Sequence, residues 1–575
     1  MARSSSGILA IVVAGLCVPR FATAQDGRVA GIARWTGEVG SYAEAYGING
    51  AEARRPAATG RMYLRPTLSL AGRLTIRFNF LLSTEGRTFQ SSRRQSINQY
   101  GVNPQWSWGS ANLGDFTDSY TPLTFSGVRV RGAGLNVSRG PLWMSMFGGR
   151  TQRAVEGGAT NGRFERNIFG GRIGIGDRRR SSIGIYLVRA HDDVGSLTLP
   201  EDTLFIDENR PDTAFVEDTL QVGKIANPFA VTPQENLVLG VTGNLAVLGD
   251  ALQLKAELSG SGHTRDLRAD VIESEEILSR IPGIVRSIYT PRVSSTADYA
   301  YTIEATARTG PLTATGAFRN IGPGYVSLGV ASLLSDQREL RLTTQLRFRR
   351  WNVRVDGARQ HDNLIHQKTF TTRRDRAAVA LSLRPGRRWN GSLRAQYSRL
   401  DNEAPEPERW IAYQSWMVGT NQTLTFTRRG FLRTASVQYQ YRTTGDDNPL
   451  RTQSASRSHS VKVRVLLSPS RILNVTPSVG IVRARFAGVG WSTRQTYSLG
   501  AQLRMLRGKW MSSLQLGRSQ FNQTSALQAT LRSRYQLTPH DAISLAVRGS
   551  DYGNVLDAAR DFQELLITLR WARRL

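Results

Sequence analysis

Hydrophobic and polar residues alternate singly through most of this chain, and Leu340–Gly357 shows the unit most clearly. Leu340, Leu342, Leu346 and Phe348 fall on one face, with Thr344 among them. Arg341, Thr343, Gln345, Arg347 and Arg349 fall on the other. After Arg349-Arg350 the pattern restarts, with Trp351, Val353, Val355 and Gly357 against Asn352, Arg354 and Asp356. Period two is the signature of a strand with unlike faces. A two-residue link then makes Phe348 and Trp351 partners across an antiparallel hairpin. The same faces recur at Leu252–Ser259, Val461–Leu467, Tyr497–Met505, Leu527–Arg532 and Glu564–Ala572.

Short turns separate these strands at Gly72, Gly140-Pro141, Gly176–Arg180, Gly249-Asp250, Gly310-Pro311, Arg349-Arg350, Pro385–Arg387, Arg428–Gly430, Ser468–Ser470, Arg507–Lys509 and Thr538–His540. Between successive turns lie two strands joined by a more variable connection. The expected fold is all-β, a large antiparallel transmembrane β-barrel of about 24 strands (roughly 20 to 26). Short turns would face the periplasm, with both chain termini, and long loops the exterior. The long loops are expected at about 84–126, 191–233 and 264–295. Within the last, Val271–Leu278 has the composition of a short helix.

Aromatic residues follow the turns at a regular offset. Trp143, Trp351, Trp389, Phe431 and Trp510 are expected to form a girdle at the periplasmic interface, where amphipathic rings are most stable. Trp410, Trp491 and Phe562 stand at the opposite strand ends.

Composition narrows the setting. The chain has 575 residues, a formal charge of +30, 40% hydrophobic residues and one Cys. Residues 1–24 read as a signal peptide: Arg3, an apolar run Gly7–Val18, and Ala22-Thr23-Ala24 as the cleavage site. Residues 25–575 then form a single barrel domain with no thiol. Losing Arg3 and Arg20 lowers the formal charge from +30 to +28. No later run reaches the roughly 18 apolar residues of a transmembrane helix. An exported chain of this kind crosses a membrane only as a closed barrel.

Taken together, the signal peptide, alternating strands, polar turns, aromatic positions and amphipathic last strand resemble bacterial outer-membrane β-barrel proteins of the porin or channel class. The resemblance implies residence in the outer membrane, contact with its lipid, and insertion by the barrel-assembly machinery. Such proteins often end on an aromatic, whereas this chain ends Trp571-Ala572-Arg573-Arg574-Leu575. Leu113–Leu135 (LGDFTDSYTPLTFSGVRVRGAGL) also resembles the early barrel of pilus ushers, although no room remains for an usher's additional domains.

Candidate chemistry lies on the polar face. Arg341, Arg347, Arg354, Arg394, Arg464, Arg504, Arg532, Arg534, Arg548 and Arg570 would project into a lumen. Rings of Arg favour anions, and a cleft of one sign concentrates counter-ions. The competing reading pairs them with lumen acids such as Glu257, Asp356 and Glu564, or with lipid phosphates near the rims. Glu201, Asp202, Asp207, Glu208, Asp212, Glu217 and Asp218 make the 191–233 loop acidic, hence a plug on the arginine wall, a cation site or a solvated loop.

No enzyme motif, Zn-type spacing or cofactor signature is present, and His361 and His366 read as loop imidazoles. Arginines spread at strand period on an exported chain argue against nucleic acid. The expected function is a channel for small or anionic solutes. The alternatives are a non-conducting structural or surface-binding barrel and an exporter barrel of usher type.

Overall fold

A computed structural model describes residues 33–575 except 85–97, 157–161, 198–230, 280, 427–429, 555–556 and 558–559. The signal peptide and cleavage site therefore lie outside the described residues. Twenty-six strands, from β1 (Ala33–Asn49) to β26 (Phe562–Arg574), form one sheet. Neighbours in sequence pair antiparallel throughout. β1 also pairs with β26, from Glu38 opposite Arg574 to Asn49 opposite Gln563. The sheet closes and leaves no free edge, which satisfies backbone groups where water is absent.

The turns named above join strands at the end where β1 starts and β26 finishes, with Arg428 and Arg429 outside the described residues. One hairpin was hidden. β4 (Gln99–Trp106) and β5 (Gly109–Thr117) lie inside what the sequence presents as the long loop 84–126. Their turn, Ser107-Trp108, contains neither Gly nor Pro, and β4 holds Pro104, which normally argues against a strand. This hairpin raises the count from about 24 to 26. In the 264–295 loop, α1 (Glu275–Ser279) occupies the second half of the expected helix, and α2 (Gly283–Arg286) follows.

The two faces separate as alternation requires. In β9 (Ser182–Asp193), Ile183 and Ile185 are 57% and 60% exposed on the outer face. Tyr186, Val188 and Ala190 alternate with them and are buried on the lumen side. Leu340 and Leu342 repeat the outward exposure in β14 (Gln337–Arg347). An apolar face this open to the surroundings suits hydrocarbon.

Most of the aromatic belt faces outward. Trp351 packs against Phe348 with ring centroids 4.2 Å apart. Trp389 and Trp510 alternate in phase with the exposed Leu393 and Leu514, and Phe431 is exposed just before its strand. Trp35, 6.2 Å from Phe78, and the pair Trp106–Trp108, at 5.2 Å, extend the belt. Trp143 departs from the expectation. In β7 (Leu142–Gln152) it shares the lumen face with Ser145 and Phe147 and is buried. Its ring occupies the space left by Gly174 and Gly184, which have no side chain to hold it off. At the other end Trp491 faces outward, whereas Phe562 shares the lumen face of Glu564 and Arg570 and stacks on Tyr552 at 5.3 Å.

Candidate functional site

Two outer connections fold into the barrel and meet there. One is 118–128, between β5 and β6 (Arg129–Arg139). The other is 322–336, between β13 (Leu312–Ile321) and β14. The Tyr325 hydroxyl donates to the carbonyl of Leu123 at 3.1 Å, and the Ser327 hydroxyl to that of Thr124 at 2.6 Å. Ser126 and Val330 bridge, with the Ser126 N–H 2.9 Å from the Gly329 carbonyl.

Both loops press an apolar core against the inner wall. Leu123 and Tyr325 pack with Tyr186, Val238 and Ile321, and Phe125 with Val130, Ile168 and Val188. Phe125 stacks on Phe147 at 4.3 Å, and Tyr120 meets both rings edge-on. Each fully buried side chain of this size contributes about 1.5–3 kcal/mol, so the loops are firmly seated. Burial pushes the Tyr120 hydroxyl up to about 12, which keeps it a neutral donor.

Polar anchors fix the arrangement. Asn236, in β10 (Glu235–Val247), is almost completely buried. Its amide nitrogen donates to the carbonyls of Val326 (2.9 Å) and Gly262 (3.0 Å) and to the Ser261 hydroxyl (3.0 Å). Its oxygen accepts from the Leu328 N–H at 3.1 Å. Asp336, at the far end of the second loop, accepts from the N–H groups of Asn363 (3.0 Å) and Leu364 (2.8 Å). It also pairs with Lys368 at 2.5 Å. Burial opposes ionisation of Asp336. The bonds from Lys368, Leu364 and Asn363 outweigh it and hold the carboxyl below its ordinary value.

The opposite wall is of another kind. Residues 448–540 contain no Asp or Glu and fourteen Lys or Arg. They include β20 (Ser456–Leu467), β21 (Leu473–Phe486), β22 (Gly490–Met505), β23 (Trp510–Phe521) and β24 (Thr524–Gln536). In a ring of 26 strands, β22 lies half-way round from β9, which backs the loop core. Lumen cations climb this wall. Arg504 and Arg534 stand near the turn end, Arg464 and Arg532 above them, then Lys462, and Arg494 near the outer end. Arg548 in β25 (Asp541–Asn554) continues the series. The outer connections here are short, 487–489 and 522–523.

The ten arginines singled out by sequence divide accordingly. Arg341 pairs with Glu339 at 2.7 Å, Arg354 with Asp356 at 2.7 Å and Arg570 with Glu38 at 2.9 Å. Arg394 contacts Gln396 at 3.4 Å, and Arg548 contacts the Gln528 amide at 2.7 Å. Arg347, Arg464, Arg504, Arg532 and Arg534 make no ion pair among the described residues, and neither do Lys462 and Arg494. Of the acids suggested as partners, only Asp356 takes an arginine from this set. Glu257 accepts from Tyr186 at 3.0 Å and Glu564 from Ser550 at 3.4 Å.

The acidic set Glu201, Asp202, Asp207, Glu208, Asp212, Glu217 and Asp218 lies outside the described residues. Among the described residues, the loops that enter the barrel are 118–128 and 322–336. Their composition carried the signal. Segments such as YTPLTF and YVSLGVASLL are too apolar for connections left in water.

No family model matches this chain, and no curated protein matches it. Solved structures with similarity include a P pilus usher translocation pore. It has 10% identity and a TM-score of 0.38, covering 94% of this chain and 99% of that one. An anion-selective porin from Comamonas acidovorans has 13% identity and a TM-score of 0.28 over 48% of this chain and 93% of that one. OpdK of Pseudomonas aeruginosa, solved with vanillate, has 9% identity and a TM-score of 0.30 over 60% and 93%. Scores this low say nothing about what the chain transports. The closed sheet, the outward apolar face and the aromatic belt decide the architecture on their own: the chain is a closed, antiparallel 26-stranded β-barrel with an apolar exterior suited to a membrane.

Proposed function

We propose that the protein is an outer-membrane channel with an off-centre passage for anionic solutes. The passage runs between the two seated loops and the wall of β20 to β24. The supporting observation is the acid-free wall: its cations have no counter-charge of their own, and it stands half-way round the ring from the apolar core. A wall of one sign beside a low-dielectric surface raises the local concentration of anions. The outer connections above this wall, 487–489 and 522–523, are short.

Planar-bilayer recording of the full-length mature protein under a salt gradient tests this. The expected result is a stable conductance with an anion-signed reversal potential. Replacing Arg464, Arg504, Arg532 and Arg534 together by Gln should move that potential toward zero. An unmoved potential would remove the wall from selectivity. A folded barrel that never conducts would support the second reading, a filled structural barrel, which the apolar loop core favours.

A further inference from the structure

The acid-free sector also has an outer face, and its upper edge is arranged for a ligand. Outward residues of β20 to β22 are apolar from the turn end up to Val461, Ile481 and Leu499. Above them the same face presents Arg457, His459, Arg483, Arg485 and Trp491. Arg457 and Arg485 are direct cross-strand partners, and His459 and Arg483 are the next pair on that face. Trp491 is the partner of Arg485 on the other side, and the Arg483 guanidinium lies 4.8 Å from its ring. Tyr439 contacts His459 Nδ1 at 3.0 Å.

Like charges directly opposite across a strand pair destabilise a sheet. Elsewhere on this rim the chain neutralises such a pair itself. Arg131 and Arg150 are also direct partners, and there Asp115 binds Arg131 at 2.8 Å and Glu165 binds Arg150 at 2.8 Å. At Arg457 and Arg485 there is no acid anywhere from residue 448 to 540. The three arginines make no ion pair among the described residues, and all are exposed.

We infer that Arg457, Arg483 and Arg485 bind the phosphate group of a phosphorylated lipid in the outer leaflet. Three features specify a lipid. The cations begin where the apolar belt ends, at headgroup depth. Val461 and Ile481 directly beneath them offer a surface for acyl chains. Trp491 is the ring type that settles at a membrane interface. Guanidinium groups in facing pairs suit a phosphate, which accepts from several donors at once. The bound phosphate supplies the counter-charge that this sector lacks.

The test uses the full mature protein in non-ionic detergent, with native mass spectrometry as readout. The probe is bis-phosphorylated lipid A, against the same lipid without phosphates and against inorganic phosphate. Wild type should retain lipid A and lose the phosphate-free form. The R457Q/R483Q/R485Q variant should bind lipid A more weakly by roughly tenfold or more, the scale of one lost charge-assisted hydrogen bond. An R349Q/R350Q control at the opposite rim should bind as wild type. Equal retention by the triple variant, or no preference for the phosphorylated form, would overturn the site. Competition by inorganic phosphate at comparable concentration would overturn the lipid assignment.

Should the triple variant fail to fold, R485Q alone decides. It relieves the facing pair, so without lipid it should melt no lower than wild type and should gain less from lipid A. A lower melting temperature with undiminished gain from lipid would show a structural role instead.

Discussion

The Tyr325 hydroxyl donates to the carbonyl of Leu123 across 202 residues of chain. One bond therefore ties the connection after β5 to the connection after β13, inside the barrel. The proposed passage would take its shape from these two segments, which seat together on one wall.

Asn236 is the polar peg of that seat. Asn236→Ala removes four hydrogen bonds and strands the Leu328 N–H, at about 1–3 kcal/mol for a buried group left unmade, while the Val326 carbonyl keeps the Ser261 hydroxyl. Single-channel conductance should rise, with more sub-states. Conductance identical to wild type would show that the passage does not run beside these loops.

Phe125→Ala removes a fully buried ring from between Phe147 and Val188. A cost of about 3–5 kcal/mol is expected for such a cavity. The loss should be local. Protease should cut the 118–128 segment faster, while the heat-modifiable mobility of the barrel on gels stays. Loss of the folded band as well would mean that the loop core supports the whole wall.

The tie from Asp336 to Lys368 should respond to pH at both ends of the scale. Asp336 is held below its ordinary value of about 3.8, so its contribution is present above that value and disappears as pH falls through the folded one. Lys368 is raised above about 10.5. Burial works against its charge, and the bonds to Asp336 and Asp362 prevail. Its contribution is complete below that value and is lost as pH rises through the folded one. Current noise should therefore grow in strong acid and in strong alkali and stay flat between. Asp336→Asn should abolish the acid limb, and an unchanged acid limb would assign it to another group.

Trp143 predicts an intolerance to small additions. A methyl group at Gly184 would come 2.3 Å from its ring, and the strand on either side fixes the backbone. Gly184→Ala should cost about 1–3 kcal/mol by overpacking and reduce the folded yield. Adding Trp143→Ala should restore it, and failure of that rescue would place the strain elsewhere.

Period two was enough to reveal most strands, because one face meets hydrocarbon and the other water. Alternation fails where that contrast fails. β4 and β5 were hidden by Pro104 and by a turn with neither Gly nor Pro. Trp143 looked like a belt residue because distance from a turn says nothing about which face a ring occupies. Gly174 and Gly184, two strands' worth of missing side chains beneath it, were the clue. The lumen arginines were visible one by one. The pairs Arg341–Glu339 and Arg354–Asp356 stand two residues apart on one strand, but the rest of the division needed the register, which brings Glu38 of β1 within reach of Arg570 and leaves Arg532 beside Ser513. The acid-free stretch was legible throughout, but only as a count over five strands.

The seam between β1 and β26 has a consequence for how the molecule is made. The first strand to leave the ribosome waits for the last as its partner, with more than five hundred residues between Glu38 and Arg570. Until then its edge is a bare row of donors and acceptors, the kind that recruits other strands. A chain stopped early has two such edges instead of a smaller barrel. The thirteen residues of β26, Phe562–Arg574, turn an open ribbon into a ring.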